Sequence, residues 1–212
     1  MFLPVTLELL TGFLETINIF ILTLLFSIPL GLVVCFGSMS GFKPLRWLTR
    51  GFVWVIRGTP LMLQLIIIFY GPGLLFDLPA MSRFNATILA FSINYAAYFA
   101  EIYRGGFESI PKGQTEAAQV LGYSKFQTFY IIRLPQMFKI VLPSITNELI
   151  TLVKDTSLSF VIAIPEMFTV AKQIAAADSS IMALLVAGVF YYIFNIIVAW
   201  FMEYVEKRMD YY

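Results

Sequence analysis

A chain of 212 residues that is 59% hydrophobic and 13% charged, with mean hydropathy +0.83, has too little polar surface to coat a soluble globule. Its formal net charge of +1, with no basic stripe, gives no case for nucleic-acid binding. Histidine is absent and the single Cys35 sits in an apolar run, so a disulfide within the chain is excluded and no metal site is expected. The composition points to an all-α integral membrane protein, read as one domain over 1–212.

No Lys or Arg precedes Lys43, whereas a secretory leader needs a basic segment ahead of its apolar core, so the first helix is expected to be retained. A helix crossing roughly 30 Å of hydrocarbon needs about 20 residues. Five segments reach that length, at approximately 12–36, 51–76, 84–104, 138–161 and 180–203. Lys43, Arg46 and Arg50 follow the first, Arg104, Lys112, Lys125 and Arg133 follow the third, and Lys207 and Arg208 follow the fifth. Because Lys and Arg favour cytoplasmic loops, the N-terminus is placed outside and the C-terminus in the cytoplasm. The opposite face carries Arg83 and Lys172 alongside Glu8, Asp77, Glu166 and Asp178.

The connection 105–137 is long for a compact protein. Ile110-Pro111 followed by Thr115-Glu116-Ala117-Ala118 predicts a helix start, and a second short helix is predicted over 124–133. Further on, Ile164-Pro165-Glu166 breaks the chain and Met167–Ala177 is predicted as a short amphipathic helix near the outer interface. No regulatory domain is expected in the tail 206–212.

Ionisable and amide side chains inside a span are costly and face protein or a watery cavity. At about 1.5 Å per helical residue, Asn94 in the third span and Glu148 in the fourth arrive near mid-membrane, and Arg57 in the second lies somewhat nearer the cytoplasm. In Arg57-Gly58-Thr59-Pro60 the proline removes a backbone donor and the glycine loosens the turn, so carbonyls and amides are freed within the span. Broken helices at this depth commonly bind small charged groups, which makes Arg57 and Thr59 candidates with Asn94 and Glu148. A carboxylate fits Arg57 and an ammonium fits Glu148. The bland alternative is a structural Arg57–Glu148 ion pair with Pro60 as a packing kink. Asp155, in Lys154-Asp155-Thr156-Ser157, is a further candidate ligand, with capping or snorkelling as its alternative. Glu101 and Arg104, one turn apart, are expected to pair with each other or with loop backbone, and a proton relay is the sharper alternative, which the sparse set of exchangeable groups weakens. Gly31 and Gly37 read as helix-packing positions.

In the loop, Ala117 and Ala118 let another protein approach the helix backbone, Glu116 can accept hydrogen bonds, and Gly122 permits a sharp exit. Glu-Ala-Ala alone carries little information. The full spacing of Glu116-Ala117-Ala118, three residues, Gly122, nine residues and Ile132-Arg133-Leu134-Pro135 is specific. It resembles the signature of membrane permease subunits of bacterial ABC importers. Arg57-Gly58-Thr59-Pro60-Leu61, Ala100-Glu101-Ile102-Tyr103-Arg104-Gly105-Gly106, Ser109-Ile110-Pro111-Lys112-Gly113-Gln114 and Lys154-Asp155-Thr156-Ser157-Leu158 all look like the polar amino-acid subfamily, which serves histidine, glutamine, glutamate, arginine, cystine and opines.

That resemblance implies a type I importer permease with a core of five transmembrane helices in the bacterial inner membrane. It implies pairing with a second permease subunit, two copies of a cytosolic ATPase, and an extracytoplasmic solute-binding protein. It also implies that the loop forms a coupling helix, with Glu116, Ala117, Ala118 and Gly122 at the ATPase, and that Asn94 and Glu148 line the pathway of an amino-acid substrate. Glu148 gives a mild preference for a cationic amino acid, although the α-amino group common to all could satisfy it equally. The chain has no Gly-x-x-x-x-Gly-Lys-Ser/Thr loop, so ATP and Mg²⁺ are expected on the partner and no cofactor on this chain. A gradient-driven carrier, an intramembrane enzyme and a passive scaffold are the competing classes. The sparse acidic network weakens the first, the missing general base the second, and the Arg57, Asn94 and Glu148 convergence the third.

Overall fold

The computed structural model describes residues 2–79 and 81–209, and the regular structure among them is all helical. Residues 210–212 of the tail lie outside the described residues. Helix α1 (Phe2–Met39) is followed by α2 (Lys43–Arg57), α3 (Leu61–Phe76) and α4 (Arg83–Ser109). Helix α5 (Lys112–Val120) comes next. Then α6 (Lys125–Gln127), a π-helical turn (Thr128–Arg133) and α7 (Leu134–Asp155) run on without a break. A 3₁₀ segment (Thr156–Ile162), α8 (Met167–Ala177) and α9 (Met182–Arg208) complete the chain.

Helix α4 forms the centre. Phe91, Tyr95, Phe99, Tyr103 and Phe107 recur every fourth residue along it, and each is at most 2% exposed. The spacing keeps all five rings on one stripe, while Ala86, Ala90, Ala96, Ala97 and Ala100 let neighbouring helices close on the remaining surface. Gly31 of α1 is one contact point. A Cβ there would stand 2.7 Å from Phe99 Cβ and 3.1 Å from the Ala96 carbonyl. The expectation that Gly31 and Gly37 are packing positions therefore holds, with Gly37 against Thr49.

Two expected elements differ. The second span, read as one helix over 51–76, is two helices that meet at 105°. Pro60 is extended (φ −63°, ψ 134°) and has no N–H to continue the ladder from Ile56, so α2 ends at Gly58 and a new helix starts at Leu61. The short helix over 124–133 is no separate element either. Ser124 caps it, with its hydroxyl accepting from the Gln127 N–H and the Gln127 side chain accepting from the Ser124 N–H. The helix then continues through Pro135 because the π turn ahead of it opens the room that a proline ring needs.

Val5–Met39 and Met182–Arg208 are each long and apolar enough to cross a bilayer, and α2 with α3, and the α6–α7 helix with α8, reach that measure only as bent pairs. Helix α4 has the length, but its burial by other helices relieves it of an apolar exterior.

Near the α7–α9 corner, Glu166 is fully buried yet completely bonded. It accepts from the Phe168 N–H (2.7 Å), the Thr169 N–H (2.7 Å), the Thr169 hydroxyl (2.8 Å) and the Tyr191 hydroxyl (3.0 Å). It is the N-cap that starts α8 where the Ile164-Pro165 break predicts a new helix.

Candidate functional site

The break between α2 and α3 sets the site. Its backbone is repaired by two side chains: the Thr59 hydroxyl donates to the Val55 carbonyl at 2.8 Å, and the Gln64 amide donates to the Ile56 carbonyl at 2.8 Å. Gln64 also reaches the Thr59 carbonyl (3.1 Å) and hydroxyl (2.8 Å), which ties the first turn of α3 to the end of α2. From the other side, Asn94 Nδ2 of α4 donates to Gln64 Oε1 at 3.0 Å. Gln64 and Asn94 are buried, at 8% and 4% exposed, which keeps water from competing for these bonds.

Helix α4 carries Asn94, Tyr98 and Glu101 at i, i+4 and i+7, and α7 carries Glu148, Thr151 and Asp155 at i, i+3 and i+7, so each trio lies along one helix face. The two faces and the α2–α3 break border an open cavity of about 540 Å³, with Glu101 outside its lining. Arg57, Thr59, Asn94, Glu148 and Asp155, all read as candidates from the sequence, line it together with Tyr95, Tyr98 and Thr151. The Tyr95 hydroxyl donates to Asp155 Oδ2 at 2.8 Å, and the Arg57 guanidinium lies 5.1 Å from the Tyr98 ring centre.

Among the described residues no ion pair joins Arg57 to Glu148. The carboxylate that Arg57 approaches is Glu101, at 4.0 Å, while Arg104 takes up Glu101 (Nε to Oε2 3.0 Å) and also pairs with Glu108. The expected Glu101–Arg104 pair is present. The alternative Arg57–Glu148 pair is not, so a guanidinium and two carboxylates face a shared space without cancelling each other.

The arrangement is polarised. Arg57 and the start of α3 at Leu61 both line the cavity, and a guanidinium and a helix N-terminus each attract an anion. Glu148 and Asp155, which line the same cavity, attract a cation. A zwitterion would find a partner for each of its ends among these lining groups.

Sequence reasoning missed Gln64, Tyr95, Tyr98 and Thr151. Gln64 left a trace as the one amide in the apolar run of α3, four residues past Pro60. Thr151 left one as the i+3 neighbour of Glu148. The tyrosines were hidden by the aromatic richness of α4.

At the other end of the molecule, α5 exposes Glu116 and Ala117, whereas Ala118 is 1% exposed and faces inward. The two alanines differ in exposure because adjacent helical residues diverge by about 100°. Gly122 has φ +81° and ends α5 in a Schellman turn, with the Tyr123 N–H bonded to the Ala118 carbonyl and the Gly122 N–H to the Gln119 carbonyl, both at 3.0 Å. The turn leaves Val120 and Leu121 at 87% and 74% exposed.

Comparison with known proteins places this geometry. Residues 27–211 match the family described as binding-protein-dependent transport system inner membrane component. The chain is 37% identical over 207 residues to the L-cystine transport system permease protein TcyB of Bacillus subtilis (strain 168), spanning 95% of this chain and 86% of that protein. It is 36% identical over 202 residues to the arginine transport system permease protein ArtQ of the same organism, spanning 95% and 92%. In structure it resembles a chain of the crystal structure of an amino acid ABC transporter with histidines, at TM-score 0.88 and 28% identity over 96% of this chain and 94% of that one. The chain thus belongs to the binding-protein-dependent transport system inner membrane components, as a polar amino-acid ABC importer permease and not the subunit that hydrolyses ATP.

Proposed function

We propose that this chain forms the translocation pathway of an ATP-driven amino-acid importer and that the cavity between the α2–α3 break, α4 and α7 holds the amino acid during passage. The observation that carries the reading is the meeting of Arg57, Asn94, Glu148 and Asp155 on one 540 Å³ cavity. The α-carboxylate lies at Arg57 and the N-terminal end of α3, and the ammonium lies toward Glu148 and Asp155. Two carboxylates against one guanidinium favour an amino acid with an additional positive charge. Thr59, whose hydroxyl satisfies the Val55 carbonyl, steadies the break at the carboxylate end.

The remaining parts follow the family. Five spans place the N-terminus outside and the C-terminus in the cytoplasm, and 1–212 acts as a single membrane domain of the bacterial inner membrane. The cytoplasmic connection 105–137 presents α5 to a cytosolic ATPase, two copies of which use ATP and Mg²⁺, while this chain binds no cofactor. Exposed Glu116 and Ala117 make the contact, Ala118 seats α5 on the body of the permease, and Gly122 fixes the turn that follows. A second permease subunit completes the pathway, and a solute-binding protein delivers the amino acid from outside. ATP-driven closure of the partner moves α5 and turns the cavity from outward-open to inward-open, with the driving force in the unequal contacts of the two states.

Uptake of a radiolabelled amino-acid panel by proteoliposomes holding the whole importer tests the site. Replacement of Glu148 with Gln is expected to lower apparent affinity by about tenfold or more for a cationic member, the size of one charge-assisted bond. Unchanged uptake of every amino acid would remove Glu148 and the cavity's acidic wall from the pathway.

A further inference from the structure

We propose that Gln64 is a specificity-determining positioning residue: it fixes the orientation of the Asn94 amide so that the carbonyl oxygen is presented to the bound amino acid, and thereby selects for an ammonium group. The proposal rests on the reading of the cavity as the amino-acid site.

The cause lies in the backbone. In an unbroken helix the Ile56 carbonyl would accept from the N–H of residue 60, and Pro60 has none. Gln64 Nε2 supplies the missing donor at 2.8 Å. A carbonyl can only accept, so the amide of Gln64 has one permitted orientation: turning it over would set oxygen against oxygen at Ile56 and again at the Thr59 carbonyl. Its Oε1 is thereby directed at α4, where it too can only accept, and Asn94 answers with Nδ2 at 3.0 Å. With one Nδ2 hydrogen held by Gln64, the orientation of the Asn94 amide is fixed, and Oδ1 is the acceptor it offers to the cavity that this residue lines.

The consequence is chemical. Asn94 could serve a ligand as donor or acceptor, and the chain Pro60, Ile56, Gln64, Asn94 decides for acceptor. Its oxygen then joins the carboxylates of Glu148 and Asp155 in a set that suits the N–H groups of an ammonium and rejects a neutral or anionic group, whose lone pairs would face them. Both amides are buried, so no water can bridge a mismatched orientation cheaply.

The test is direct binding of L-arginine, L-glutamine and L-cystine to the assembled permease–ATPase complex in nanodiscs, each compared with its counterpart lacking the α-amino group. The wild type is expected to prefer the amino acid. In Gln64→Leu that preference falls about tenfold, the worth of one well-formed hydrogen bond. Asn94→Leu loses the same preference, and the double variant loses no more than Asn94→Leu alone, because Gln64 acts through Asn94. Adding Asn94→Asp to Gln64→Leu restores the preference, since a carboxylate accepts whichever way it turns. If Gln64→Leu does not assemble, the nearly isosteric Gln64→Met takes its place. A wild-type complex that binds no member of the panel would remove the amino-acid site itself. Binding with the amine preference unchanged in the Gln64 variants, or losses that add in the double variant, would overturn the proposal and leave the site standing.

Discussion

Single residues were legible where chemistry and surroundings clash. Arg57, Asn94 and Glu148 stand out because a guanidinium, an amide and a carboxylate have no business in apolar helices unless protein or water receives them, and the cavity brings them to one place. Gln64 was not legible as a partner of Ile56 and Asn94, since its importance comes from a carbonyl orphaned eight residues earlier and a helix 30 residues away. Glu166 is the opposite case, an acid in a break that turns out to be wholly occupied with structure. Each of its bonds is to a donor, so Glu166→Gln sets an NH₂ against the Phe168 N–H or, turned over, against the Thr169 N–H. The expected cost is about 1–3 kcal/mol, read as a lower apparent melting temperature of the purified protein, with substrate affinity unchanged.

At the scale of the elements, helices and their starts were readable from Pro, Ser and Glu positions, but their continuity was not. A proline at 60 and a proline at 135 look alike in sequence. The first follows Gly58-Thr59 and gives a 105° turn, whereas the second follows a π turn that lets the helix pass. The difference lies in how far the preceding turn can widen, which tertiary packing decides. The α1–α4 contact was anticipated only as glycine packing. Its tightness makes a specific prediction, because a Cβ on residue 31 would lie 2.7 Å from Phe99 Cβ, closer than side chains tolerate. Gly31→Ala should therefore separate the two helices and destabilise the fold by about 1–3 kcal/mol, measured as a drop in thermal stability in detergent. Gly41→Ala, where nothing lies within 4 Å, should change it little.

For the whole molecule, the account joins two ends: a cavity whose lining groups match a zwitterion, and α5 with Glu116 and Ala117 exposed more than one helix away in sequence. Composition alone identified a membrane protein, and motif spacing alone gave the importer resemblance that the family match bears out. The identity of the amino acid stayed illegible, because relatives named for cystine and for arginine are almost equally similar and the acidic wall suits the amino group common to both. Glu116 on the exposed side of α5 is where the two ends should communicate. The most direct test is ATP hydrolysis by the complex that copurifies with this tagged chain from its native membrane, measured against a panel of amino acids, with Glu116→Lys alongside. The account predicts that an ATPase copurifies, that one amino acid or a small charged group of them stimulates it severalfold, and that Glu116→Lys abolishes the stimulation while the chain remains in the membrane. Recovery of the chain without an ATPase, or stimulation that survives Glu116→Lys undiminished, would contradict it.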